Sequence, residues 1–239
     1  MKKILALGVL LAVFALQGMS DVSDKSDAEY IFARVQFNMS YRAMFDYREA
    51  PWHHDHPYAE DLFLTMVKEV TGIHTSQEAY KIVQLDSPEI FKYPFLYFSE
   101  PGYMELTPKE IVNLREYFNR GGFAEFDDFR GRALNNLQVM MKKVFPDRDM
   151  FKLDISHPVF HIFYDIDSLE MDPPYQNYDS GDPTFWGMKD DKDRLILIAN
   201  ADNDLGEFWQ WVDEGSQPFK WGALSVRFGI NYLIYAMTH

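Results

Sequence analysis

TPKEIVNLREYFNRGGFAEFDDFRG, residues 107–131, carries a helix, a turn and a strand in one continuous reading. Thr107 stands at an N-cap, Pro108 at the first helical position, and Glu110 completes a capping box. Ile111, Leu114 and Phe118 then line one helical face, and Gly121 and Gly122 stop the helix. FAEFDD follows as a strand. GRALNNLQVMMKKVFP (131–146) returns to helical spacing, with Leu134, Leu137, Met141 and Val144 on one face and Pro146 as the stop. Helix, strand and helix in immediate succession predict a parallel sheet with covered faces.

The same alternation extends outward in both directions. YIFARVQF (30–37) reads as the first strand. PYAEDLFLTMVKEVTG (57–72) reads as a helix with Leu62, Phe63, Met66, Val67 and Val70 inward and Gly72 as its C-terminal cap. KIVQLD (81–86) and FLYFSE (95–100) are short strands, and RLILIAN (194–200) is a nearly continuous apolar one. WGALSVRFGINYLIYAMTH (221–239) is a closing helix with Val226, Ile230, Leu233 and Met237 inward. Strands alternating with helices imply right-handed crossovers and a mostly parallel α/β sheet with helices on both faces. Residues 167–193, rich in Asp, Pro and Tyr, read as a long ordered loop.

At the amino end, Lys2 and Lys3 precede an apolar run from Ile4 to Leu16, with Gly18 and Ser20 behind it. This is the pattern of a secretory signal peptide over residues 1–20, followed by a polar linker over 21–29; an uncleaved N-terminal anchor is the alternative. Residues 30–239 then read as one domain in the periplasm or outside the cell. Losing Lys2 and Lys3 would deepen the net charge from −14 to −16, which repels phosphate backbones and anionic lipid. Nucleic acid and peripheral membrane binding are therefore disfavoured. The chain has no cysteine, so disulfides, a cysteine-linked lipid and a thiol nucleophile are all excluded. Its 20 Phe, 14 Tyr and 5 Trp imply a well-packed core instead.

Ligands of open α/β sheets gather beyond the carboxyl ends of the strands. Acidic residues stand at three such ends: Glu100 after FLYFS, Asp127 and Asp128 after FAEF, and Asp202, Asn203 and Asp204 after LILIAN. The alternative role for one of the adjacent pair is an N-cap of the following helix, and Arg130 is placed to pair with either. Histidines form a second group. His157 and His161 are four apart in SHPVFHIFYD, a spacing zinc accepts, but no third ligand is specified and no metal is expected. WHHDHP (52–57) puts His53, His54 and His56 around Asp55, read as a structural hydrogen-bonding residue of a surface loop. Phosphate-cradling glycine loops and a GxSxG elbow are absent, so no cofactor is expected.

FARVQF, WHHDHPYAEDLFL, FLYFSEPG, the quoted 107–131 stretch, SHPVFHIFYDI, LILIANADNDLGEFWQW and FGINYLIYAMTH together resemble, in order, the bacterial domain-of-unknown-function family four-one-five-nine. The resemblance runs from about Tyr30 to His239. It implies a flavodoxin-like three-layer sandwich similar to class I glutamine amidotransferases. By that likeness Asp127 and Asp128 occupy the elbow that presents the nucleophilic cysteine, and SEPG (99–102) the loop of oxyanion donors. The missing cysteine removes amidotransferase chemistry. Members occurring near ATPases and von Willebrand A-like proteins hint at assembly work in the envelope. The resulting expectation is an exported, noncatalytic module binding an envelope protein or small ligand at the acidic edge. The rival is a hydrolase of a glycan or amide using Asp127 or Asp128 with His157.

Overall fold

The computed structural model describes residues 28–40 and 50–239; the signal-peptide reading and all but the end of the linker lie outside them. In chain order the strands and helices are β1 (Phe32–Gln36), β2 (Asn38–Met39), α1 (Tyr58–Thr71), β3 (Tyr80–Gln84), β4 (Phe95–Ser99) and β5 (Met104–Glu105). There follow α2 (Pro108–Asn119), β6 (Phe123–Phe129), α3 (Ala133–Val144), β7 (Phe151–Lys152), β8 (Thr184–Lys189), β9 (Leu195–Ala201), α4 (Leu205–Gln210) and α5 (Phe219–Thr238).

Seven strands form one sheet in the order β3-β1-β4-β6-β9-β8-β7, and β2 and β5 form a separate two-stranded pair. The first five run parallel; β8 joins β9 antiparallel and β7 joins β8 antiparallel. The parallel strands, taken in chain order, therefore lie 2-1-3-4-5, the doubly wound order of flavodoxin-like sandwiches. The direction of winding reverses between β1 and β4, so the carboxyl ends near that junction are where the fold opens a crevice.

Local chemistry explains the elements. The capping box of α2 forms as its sequence predicts: the Thr107 side chain accepts from the Glu110 amide, and the Glu110 carboxylate accepts from the Thr107 amide. Gly72 closes α1 at φ 74°, a conformation that costs a side-chain-bearing residue but not glycine. β6 and β9 are buried along their whole length, as a central parallel strand with helices on both faces must be.

Two apolar clusters fill the layers. On one face Phe32, Phe95 and Phe123 pack under α1, α4 and α5 through Phe63, Trp209 and Ile230. On the other, Val35, Leu96, Phe98 and Phe126 pack under α2 and α3 through Leu114, Phe118, Leu137 and Met141. Each such side chain contributes about 1.5–3 kcal/mol by leaving water.

Four expectations change. The stretch 167–193 is not loop throughout, because β8 occupies its end and adds an antiparallel strand beside β9. Val70 and Met237, expected inward, are exposed, each in the last turn of its helix. The strand carrying Asp127 and Asp128 continues through Phe129, so the pair lies inside it and not between strand and helix. Neither caps α3, whose N-cap position is Arg132 without a side-chain bond.

Candidate functional site

The adjacent aspartates do different things because β6 is bulged at them. Phe126 pairs with Ala199 and Phe129 with Ala201, so three steps on β6 oppose two on β9. Asp128 takes up the extra residue at φ 55°. Such a bulge re-aims a side chain that regular alternation would bury.

Asp127 points into the face beneath α1, α4 and α5 and is fully buried. Its Oδ2 accepts from the Gly206 amide at 2.8 Å and from the Tyr97 hydroxyl at 3.1 Å; its Oδ1 accepts from Asn200 Nδ2 at 2.9 Å. It thus caps α4, a helix seventy-odd residues away in sequence. Asn200 Nδ2 also reaches Glu125, and Tyr232 donates to Asn200 Oδ1 at 3.2 Å. Burial raises the Asp127 carboxyl above its usual range even against the bonds from Gly206 and Asn200. Burial, then Asp127, pushes Glu125 up further. The approach of α4 requires glycine: a Cβ on Gly206 would stand 2.6 Å from the Tyr97 hydroxyl.

Asp128 instead faces the rim. Its Oδ2 lies 2.8 Å from His54 Nδ1, and its Oδ1 accepts from Arg130 Nη1 at 2.8 Å. Arg130 Nη2 extends to Asp204 Oδ2 at 3.2 Å, and Arg130 Nε donates to the Tyr175 carbonyl at 3.0 Å. Burial would raise Asp128, but the bond and charge of His54 and the charge of Arg130 outweigh it and hold the carboxyl at about 2. The bond to Asp128 likewise lifts His54 to about 10 against its own desolvation, with Asp55 and Glu100 adding to the effect.

Asp204 caps α4 through the Glu207 amide at 2.9 Å and is pushed well up by burial, then by Asp128, Asp55 and Asp127. Asp55 receives Gln210 Nε2 at 3.1 Å on Oδ1, and burial followed by Asp128 pushes it well up. Asp128, with its pKa lowered, therefore stands beside two carboxyls whose pKa values are pushed up. Asp202 ties the overlying loop down, accepting from the Gly131 and Gly181 amides at 2.8 and 2.9 Å. Asn203 is buried and accepts from the Asp204 amide at 3.0 Å. Glu100 is buried at the end of β4, and its amide donates to the Asp127 carbonyl at 3.0 Å.

Asp55, Glu100, Asp127, Asp128, Arg130, Asp202, Asn203 and Asp204 thus meet at one sheet edge. His157 does not. It caps a short turn through the Val159 amide, and its pKa is lowered by burial and by Lys189, which pairs across to Leu195 at the amino end of β9. His161 is held by Asp165 at 2.5 Å and by the Ile155 carbonyl. The histidine that joins the edge is His54. Its loop is anchored by Arg34, which donates to the Trp52 and His54 carbonyls and pairs with buried Glu60. An arginine inside the strand FARVQ was the sequence sign of this anchoring, since a buried guanidinium must be paired. Glu125 inside FAEF was the corresponding sign of the polar network on the same face.

Beside Asp128 a cleft of about 380 Å³ opens between Glu100, Tyr103, Arg130, Arg132, Asn177 and Tyr178. Tyr178 is 93% exposed at its mouth. The architecture and edge define a flavodoxin-like α/β sandwich with an acidic, strained carboxyl edge. The domain-of-unknown-function family DUF4159 matches residues 32–237, and the chain belongs to that family. No curated protein matches the chain in sequence.

Proposed function

We propose that the chain is an exported, noncatalytic binding or assembly module that receives a small polar group at the carboxyl edge of its sheet. That group is a free ligand or part of an envelope protein. One observation carries the reading: four acidic residues at this edge, Asp55, Glu100, Asp128 and Asp202, have φ of 64°, 48°, 55° and 58°. A left-handed backbone costs a non-glycine residue about 1–3 kcal/mol, most for glutamate and less for aspartate. Strain gathered at one rim, beside an open cleft, supports a site shaped for binding rather than for stability.

The elbow position holds Asp127 and Asp128 where an amidotransferase-like site would need a thiol, which supports a noncatalytic role. The export half of the proposal rests on residues 1–20; among the described residues no helix is long and apolar enough to cross a membrane. A hydrolase is the second reading, favoured by Asp128, whose pKa is held low, standing beside Asp55 and Asp204, whose pKa values are pushed up. His54, not His157, would be its partner.

A thermal-shift panel of amino acids, short peptides and oligosaccharides tests the module reading. Compounds that raise the melting temperature of the wild-type chain, unconsumed, and fail to do so with Arg132→Ala or Tyr178→Ala support it. No shift from any class, or shifts indifferent to both substitutions, would contradict it. Turnover of a shifting compound would favour the hydrolase.

A further inference from the structure

We infer that His54, Asp55 and Asp128 bind one divalent transition-metal ion, with zinc or manganese the best fit. One nitrogen and two carboxylates, each offering one donor atom, lie within 4.8 Å of one another. Ligand bonds of about 2.0–2.2 Å set donor atoms roughly 2.8–3.6 Å apart on the edges of an octahedron or tetrahedron. His54 Nδ1 stands 2.8 Å from Asp128 Oδ2 and 3.4 Å from Asp55 Oδ1, inside that interval. A cation entering between them needs only small side-chain adjustments.

A second observation points to a missing positive group. The Asp55 side chain is 2% exposed, and its Oδ2 is buried without a hydrogen-bond donor. An acceptor oxygen left unpaired inside a protein costs about 1–3 kcal/mol. Since Oδ1 faces His54 and is held by Gln210, a cation offsets that cost by engaging both oxygens of Asp55. The surroundings are arranged as support for metal ligands. Arg130 holds the other oxygen of Asp128, Gln210 holds Asp55, and Arg34 fixes the His54 carbonyl from below. His54 is 46% exposed, which leaves open positions for water or for a group carried by a ligand. An imidazole beside two carboxylates suits zinc or manganese better than calcium or magnesium, which prefer oxygen alone.

The inference deepens the binding-edge reading and rests on it: the ion would be the group that a polar ligand meets beyond Asp128. Calorimetric titration of the chelator-stripped chain with Zn²⁺ and Mn²⁺, and with Mg²⁺ as a comparison, tests it. One ion per chain is expected, with affinity falling at least about tenfold in both His54→Ala and Asp55→Asn and holding in His157→Ala. Circular dichroism of each variant establishes that it folds, and exposed His54 makes that substitution the safer of the two. No saturable binding would overturn the inference, as would binding unchanged in His54→Ala or abolished by His157→Ala. Because metal binding is read without any cleft ligand, its loss alongside intact, Tyr178-dependent thermal shifts removes the ion and leaves the module reading standing.

Discussion

The two faces of the sheet are packed by different chemistry. Toward α2 and α3 the strands present Ala33, Val35, Leu96, Phe98, Ala124, Phe126, Ile196 and Ala199, all apolar. Toward α1, α4 and α5 the same strands present Arg34, Tyr97, Glu125, Asp127 and Asn200, all buried. A purely apolar face needs only shape to be satisfied. A polar one needs partners for its donors and acceptors, and Asp127 and Asn200 find theirs in the start of α4 and in Tyr232 of α5. The contrast teaches that the second face serves to hold the rim above it in a fixed geometry.

The largest expected effect lies on the apolar face. Phe126 stacks on Phe98 with ring centroids 4.4 Å apart, and Phe126→Ala should cost about 3–5 kcal/mol in urea unfolding. The His54–Asp128 contact should survive, since it is held by Arg130 and by the Arg34 anchor and not by Phe126. On the polar face, Asp127→Ala strands the Gly206 amide and the Asn200 side chain and should cost about 2–3 kcal/mol. Asp127→Asn keeps an acceptor and should cost clearly less. Equal losses from the two Asp127 variants would break the claim that matched donors, not volume, matter on this face.

At the rim the stability effect shrinks while the electrostatic one grows. Asp128→Asn should cost about 1–2 kcal/mol, because the contact with half-exposed His54 is screened while the buried one to Arg130 keeps an oxygen acceptor in asparagine. Its contribution follows pH in a defined window. His54 is raised from 6.5 to about 10, so stability from its charge is complete below pH 6.5 and lost as pH rises through 10. Asp128 is lowered from 3.8 to about 2, so its share is complete above pH 3.8 and lost as pH falls through 2. The melting difference between wild type and Asp128→Asn should therefore be greatest between pH 4 and 6.5 and shrink on both sides. The smallest effect is Tyr178→Ala, which should leave the melt within about 0.5 kcal/mol of wild type while removing ligand-dependent shifts.

Much of this fold is legible in the sequence because its punctuation is local. Thr107, Pro108 and Glu110 begin α2, Gly72 ends α1, and apolar runs mark β4, β6 and β9. The convergence of Glu100, Asp127, Asp128 and Asp202 at one edge follows from strand ends in a parallel sheet. Three things were not legible, each for a long-range reason. The six residues of α4 hold too few turns for a periodic pattern, and the helix is set by Asp127 and Asp204. The bulge at Asp128 is a matter of register against β9, which no residue type announces. His54 reaches the site only because Arg34 and Glu60, 26 residues apart, fasten its loop to the sheet.

The bulge splits two neighbouring aspartates between a packed face and the rim. An NMR titration of the His54 ring in chelator-stripped protein tests it most directly. His54 should titrate near 10 in the wild type, fall toward 6.5 in Asp128→Asn, and change little in Asp127→Asn. Titration near 6.5 in the wild type, or an equal fall in both variants, would contradict it.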